Sequence, residues 1–261
     1  MSARITPLRL EGFEQLPKHA RRCVFWEVDP STVGDDDHLS DPEFEKEAWL
    51  SMVMLEWGSC GQLAIDSPLD AGGEFSQPIT GDEPCLGYAF YAPPSAVPRA
   101  RLFPTAPVGA DAVLLTAMGG EFAADDGTPR DLLAAVVADL VRRGVRALEA
   151  FGRTQSATGL CAETVTAEAL ASVVAVLGDC SVDQCVIDAD FLLDVGFTVV
   201  APHPYFPRLR LELDKGLGWK AEVEAALERL LESARMEMPV GAGSNASAAM
   251  VNQLRAEAGK G

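Results

Sequence analysis

Three histidines, three tyrosines and 21 basic residues are few for a chain of 261 residues, and each shortage excludes something. Against 39 Asp and Glu the basic residues leave a net charge of −18. Phosphate backbones and anionic membrane surfaces demand clustered Lys and Arg, so neither nucleic acid nor membrane is expected as a partner. His19, His38 and His203 are too few and too scattered for chemistry that needs a histidine pair. No run approaches the ~20 apolar residues of a membrane span; the best, Leu132 to Val141, is cut by Asp139. Met1 to Pro17 has no apolar core of the kind a secretory signal carries, so the chain is expected in the cytoplasm. There is no C-x-x-C pair and no internal repeat. Cys23, Cys60, Cys85, Cys161, Cys180 and Cys185 are widely and irregularly spaced, which suits small buried thiols rather than disulfides. Only Cys180, Cys185 and His203 approach metal-ligand chemistry, short of the four close ligands of a zinc site, so no metal is expected.

What is present is an ordinary globular composition, 48% hydrophobic and 23% charged, able to bury a sizeable core. Leu16–Trp26 has helical spacing, with Leu16, Ala20, Cys23 and Val24 on one side and Lys18, Arg21 and Arg22 on the other. Asp41 is placed to cap a second helix reaching Trp57, with Pro42 at its first position. Cys60–Ile65 and Cys85–Tyr91 read as strands flanking a Gly, Pro, Asp and Ser-rich insertion at about 66–84. Ala112–Met118 is almost continuously apolar, as a strand buried on both faces should be. A loop follows, then a helix, Pro129–Arg143, stopped by Gly144, and a strand, Arg146–Gly152: a βαβ-type unit. Residues 153–181, rich in Ala, Thr and Ser, read as a second insertion holding a helix over Thr166–Leu177. A helix at Ala189–Val195 and strands at Phe197–Ala201 and Leu209–Leu213 complete the pattern. A C-terminal helix from Trp219 carries the stripe Trp219, Val223, Leu227, Leu230 and Leu231, for core packing or for a homodimer or protein partner. Residues 235–261 read as a Gly, Ala and Ser-rich tail expected to be disordered unless a partner orders it.

This order of elements, with Leu16-Pro17-Lys18-His19-Ala20-Arg21-Arg22-Cys23-Val24-Phe25-Trp26-Glu27, Leu55-Glu56-Trp57-Gly58 and Gly87-Tyr88-Ala89-Phe90-Tyr91-Ala92-Pro93-Pro94, resembles the GNAT N-acetyltransferase superfamily, in particular a bacterial subgroup of it. Downstream, Arg142-Arg143-Gly144 through Gly152, Asp190-Phe191-Leu192 and Pro207-Arg208-Leu209-Arg210-Leu211 carry the same resemblance, which spans residues 1–234 apart from the insertions. It implies an α/β GNAT-like (acyl-CoA N-acyltransferase) fold: a mixed central sheet flanked by helices. It also implies acetyl-CoA as co-substrate, lodged where the central strand splays from the next one. The acceptor would be a small-molecule or protein amine. By that resemblance Leu115, Thr116 and Met118 would line the pantetheine arm, while Gly127, Thr128 and Arg130 would meet the pyrophosphate.

The phosphate loop departs from the family's Arg/Gln-x-x-Gly-x-Gly/Ala form. Aligned on the following helix, the chain offers Ala124-Asp125-Asp126-Gly127-Thr128-Pro129: Gly127 matches, whereas Ala124 and Pro129 do not. Thr128-Pro129-Arg130-Asp131 instead reads as a self-sufficient helix start, with Thr128 as N-cap and Asp131 completing a capping box. Asp125, Asp126 and Asp131 put carboxylates where phosphate charge would sit; Arg130 is the local cation. For the chemistry, Glu121, directly after the central strand, is the candidate base. Glu149, mid-strand and facing cleft or solvent, is either a second base or a salt-bridged carboxylate. Tyr205 is the candidate acid to the leaving thiolate; Tyr88 and Tyr91 can line the acceptor site. Two functions follow: an N-acetyltransferase, or a catalytically inactive degenerate GNAT domain serving as a binding or regulatory module.

Overall fold

A computed structural model describes residues 3–29, 41–67, 83–120, 127–157 and 182–213. Its centre is an eight-stranded mixed sheet: β1 (Ala3–Pro7), β2 (Gly61–Asp66), β3 (Cys85–Ala92), β4 (Ala112–Gly120), β5 (Ala147–Arg153), β6 (Ile187–Asp188), β7 (Thr198–Ala201) and β8 (Arg208–Glu212). The strand order is β1-β2-β3-β4-β5-β8-β7, with β6 beside β5. Pairing is antiparallel except for β4–β5 and β5–β6. The expected adjacency of the central strand and Arg146–Gly152 holds, with Ala112 opposite Ala147. β1 went unread in the sequence: five residues ending in a proline carry too little alternation to signal a strand.

The period of two along each strand sorts side chains into two cores. Tyr88, Phe90, Leu114 and Phe151 point to the face covered by α1 (Lys18–Arg22) and α2 (Pro42–Glu56). Ala89, Tyr91, Val113, Leu115, Leu148 and Ala150 point to the other, covered by α3 (Thr128–Arg142) and α5 (Ala189–Asp194). Between them in sequence lies the single turn α4 (Val182–Cys185). The first helix is shorter than its apolar spacing suggested: Pro17 stands before its first residue with ψ 146°, and the backbone turns extended at Cys23, after Arg22. α2 begins as read: the Asp41 carboxylate accepts from the Phe44 N–H at 3.0 Å. α3 begins one residue early, with Gly127 rather than Thr128 in the capping position. Gly144, at φ +73°, turns the chain out of α3 in a conformation that favours glycine.

On the first face, Trp26 stacks on Phe103 (4.9 Å between centroids) and Phe103 on Phe151 (4.3 Å). Beside this stack the Lys46 ammonium is buried, bonded to the equally buried Glu27 carboxylate and 4.5 Å from the Phe90 ring centroid. Burial pushes the Glu27 pKa up, and Lys46 holds it back. Together these features form the architecture that the resemblance implies, an α/β fold with a mixed central sheet flanked by helices, and the sheet opens between β4 and β5. No helix among the described residues is long and apolar enough to cross a membrane. The helix expected over Thr166–Leu177, the C-terminal stripe from Trp219 and the tail lie outside the described residues.

Lys46→Met should expose the cost of the buried carboxylate. Removing one partner of a buried ion pair costs about 3–5 kcal/mol. The loss should grow as pH rises, because a buried Glu27 without its cation folds best protonated. Urea unfolding at pH 5.5 and 8 measures it, and Glu27→Leu/Lys46→Met should recover most of the stability and lose the added pH dependence.

Candidate functional site

β4 and β5 share three residue pairs, Ala112–Ala147, Val113–Leu148 and Leu114–Glu149, and then part. The departure begins at a bulge. Phe90 of β3 lies opposite Ala117 and Tyr91 opposite Leu115, so Thr116 is the extra residue. Its buried hydroxyl donates to the Phe90 carbonyl at 3.1 Å, which fixes the bulge from inside the sheet. A bulge bends and twists its strand, and here it swings β4 away from β5. Beyond Leu114, that edge of β4 has no strand partner among the described residues. Gly119 permits the same stretch to pass close over Tyr88, whose hydroxyl would lie 2.8 Å from an added Cβ.

The opening leads into a pocket of about 220 Å³ lined by Ala117 and Met118 of β4, Pro129 of α3, Arg153 at the end of β5, residues 183–188 and Phe191 of α5. This is the carboxyl end of the two parallel strands, where open α/β sheets bind ligands. A larger depression of about 570 Å³ lies at the other end of β4, between Trp57, Pro93, Asp111 and Arg146.

The β5 side of the opening is already furnished. Gly152 and Thr154 turn their N–H groups toward Pro207 and Tyr205 on the β8 side. β6, which pairs with Gly152 and Arg153, therefore lies on the opposite edge, the one β4 has left. Gly152 is required there: an added Cβ would sit 2.8 Å from Leu209 and 3.0 Å from the Ala189 backbone. The Arg153 guanidinium is held by Asp188 at 3.1 Å and Asp183 at 3.5 Å, and Asp188 also caps α5. Arg153 is the cation of this pocket that sequence reasoning missed; its position at the end of a buried strand was the available signal.

The expected site residues are divided by the structure. Met118 lines the pocket, whereas Leu115 and Thr116 are buried on either face of the bulge. Gly127, Thr128 and Arg130 stand at the start of α3 as expected, but that start offers little to a phosphate. Pro129 has no N–H, and the N–H groups of Arg130 and Asp131 both donate to the Gly127 carbonyl, at 3.0 and 3.1 Å. Glu121 and the loop residues Ala124, Asp125 and Asp126 lie outside the described residues.

Glu149 faces neither cleft nor solvent. It is 1% exposed, accepts from both Arg208 and Arg210 (the latter at 2.9 Å), and takes the Gly109 N–H at 3.1 Å. Gly109 packs so closely that a Cβ would meet its carboxylate at 2.8 Å. With both oxygens held by arginines and 1% exposure, the carboxylate fits the salt-bridged reading rather than that of a base. Its partners lie 59 and 61 residues further along the chain, where no local pattern announces them. Arg210 also grips exposed Asp111, whose pKa it lowers. Tyr205 sits on the β8 side of β5, across that strand from the pocket, its N–H donating to His203 Nδ1 at 3.2 Å. His203 takes the Phe206 N–H as well, at 3.0 Å, and so shapes the turn before β8. Tyr88, by contrast, lies against the opened stretch of β4, and burial raises its pKa so that it keeps its proton.

Glu149→Gln should therefore act on stability first. Loss of the buried charge between two arginines should cost about 3 kcal/mol, lowering Tm by roughly 6–12 °C in calorimetry.

No family model and no curated protein matches the sequence. Among solved structures the chain is similar to PaiA N-acetyltransferase from Thermoplasma acidophilum in complex with coenzyme A, at 12% identity over 81% of this chain and 99% of that one, with a TM-score of 0.43. It is also similar to an N-acetyltransferase from Staphylococcus aureus Mu50, at 12% identity over 82% and 99% of the two chains, TM-score 0.42. A third is the ribosomal-protein-S18-alanine N-acetyltransferase from Escherichia coli, at 12% identity over 81% and 94%, TM-score 0.36.

Proposed function

We propose that the chain is an acetyl-CoA-dependent N-acetyltransferase acting on a small-molecule or protein amine. The observation that supports this reading is the opening itself: β4 leaves β5 at a fixed bulge and turns toward a pocket an edge without a strand partner among the described residues. Backbone N–H and C=O groups at such an edge need partners, and the amides of a pantetheine arm are chemically suited to supply them. The residues of the described pocket fit that arm, with Ala117 and Met118 alongside it. The pyrophosphate end fits less well. Gly127, Thr128 and Arg130 would have to hold it without an N–H from Pro129 and beside Asp131.

When bound, the cofactor supplies an acetyl thioester. The protein's tasks are then to take a proton from the ammonium, orient the acceptor amine and protect the thioester from water. Glu121, the residue after β4, has the chemistry for the first task. Tyr205, the expected acid to the departing thiolate, lies across β5 from the pocket, while Tyr88 packs against Gly119 of the opened stretch.

One observation favours the second reading, a GNAT domain that binds without catalysing: β6 occupies the β5 edge of the opening, and the cation at its floor is engaged by Asp183 and Asp188. Calorimetric titration with acetyl-CoA separates the two. Binding is expected, to be abolished by Ala117→Phe in the pocket and weakened by Arg130→Ala. Asp125→Gly/Asp126→Gly should tighten it by on the order of 1 kcal/mol, as carboxylate repulsion is relieved. No heat at millimolar ligand would leave the binding-module reading.

A further inference from the structure

Chain topology brings together three soft ligands that the sequence keeps apart. Cys185, the last residue of α4, lies 162 positions from Cys23, yet their sulfurs are 3.6 Å apart. His19 stands one helical turn before Cys23, and the ligand atoms of all three lie within 4.8 Å of one another. We propose that His19, Cys23 and Cys185 form a zinc site, with water in the fourth position. The proposal departs from the expectation of no metal, which weighed Cys185 with Cys180 and His203. His203 is committed to its own turn, and Cys180 lies outside the described residues.

The geometry carries the assignment. With Zn–S near 2.3 Å, two thiolates on a tetrahedral zinc stand about 3.7 Å apart. The observed 3.6 Å matches a shared ion, whereas a disulfide needs the sulfurs at about 2.05 Å. His19 lies in α1 and Cys23 caps its end, its N–H donating to the His19 carbonyl at 2.8 Å, which keeps the two side chains within reach of one ion. Beside them is a cavity of about 10 Å³, lined by these three residues together with Lys46 and Tyr88. That is close to the space of one water-sized sphere. Lys46 does not oppose the ion with a bare charge, because Glu27 neutralises it. The backbone around the site is already fixed: the Trp26 indole N–H donates to the Cys185 carbonyl at 2.9 Å. His19 is the most exposed of the three, its ring nitrogen within 4.8 Å of both sulfurs.

Binding converts two thiols into thiolates and releases two protons, so the site should fill more readily as pH rises. It would tie α1 to the segment that carries β6 and the partners of Arg153. This is a role separate from acetyl transfer, and its test does not use that activity.

The full chain, reduced and stripped with a chelator, is titrated with Zn²⁺ against a chromophoric competitor, and separately with Co²⁺. One equivalent should bind, and cobalt should give thiolate charge-transfer absorption and tetrahedral d–d bands. At zinc one hundred times Kd the unfolding constant should fall about 100-fold. Cys23→Ser and Cys185→Ser should each weaken binding more than about 100-fold, since ligands matter at least as much as their outer-shell partners. His19→Ala, at a partly exposed position, keeps the fold testable and should weaken binding at least 10-fold. Cys161→Ser/Cys180→Ser should bind as the parent chain does. Absence of binding, cobalt spectra without thiolate bands, retained affinity in Cys23→Ser or His19→Ala, or loss in Cys161→Ser/Cys180→Ser would each overturn the assignment. So would mild oxidation that joins Cys23 to Cys185 in a chain unable to take up zinc.

Discussion

The bulge at Thr116 is the constraint on which the rest of the structure turns. A parallel pair that continued to its ends would close β4 against β5 and leave no cleft. One extra residue, tied by its hydroxyl to the Phe90 carbonyl, ends that pairing after Leu114. From that point β4 follows β3 and β5 follows β8, and two backbone edges diverge inside one sheet. Each edge must then find hydrogen-bond partners, since buried peptide groups without them are costly. β5 takes β6. The edge of β4 looks into the pocket, and this asymmetry is why the opening reads as a site rather than as a defect in the sheet.

Electrostatics divides the molecule in the same way. In a chain with 21 cations against 39 carboxylates, the best-placed arginines and lysines are consumed in holding acids inside the fold. Lys46 holds Glu27, Arg208 and Arg210 hold Glu149, and Arg153 holds Asp183 and Asp188. Such pairs specify an arrangement more than they stabilise it, because desolvation offsets much of the attraction. They also leave little positive charge for a phosphate. The start of α3, with its proline and its aspartate, agrees with the interior in this respect. An anionic ligand here must rely on backbone groups more than on side-chain charge.

The sequence carried those parts of the fold whose signal is local. α2, β4, α3 and β5 were legible because period, cap and stop residues lie within each element: Asp41 before α2, Gly144 after α3. β1 was not, since five residues with one proline hold no periodicity to detect. The capping of α3 was misread by one residue because Thr128 is a better intrinsic cap than Gly127; the run-in to Pro129 decided otherwise. The site was harder to read than the fold. The state of Glu149 depended on two arginines that alternation placed on β8 without saying what they faced. His19, Cys23 and Cys185 were each visible, and only the return of the chain after residue 181 brings them together.

That return is the least conventional part of the molecule and the part where its chemistry converges. Within residues 182–188 the chain supplies Cys185, the two aspartates that hold Arg153, the strand that fills the β5 edge and the cap of α5. Cys185 lines both the cleft and the small cavity beside His19, so one short segment forms the wall between them. A shift of this wall toward α1 would widen the cleft beside Met118, and a shift the other way would narrow it. α4 is a single helical turn, too short to be stable by itself, so its position is set by what it touches. On the α1 side those contacts are the Trp26 indole and the Cys23 sulfur; on the cleft side they are Arg153 and the edge of β5. The bulge opens the sheet, and the segment that walls the opening is held from two sides, by Trp26 and Cys23 on the α1 side and by Arg153 at the end of β5.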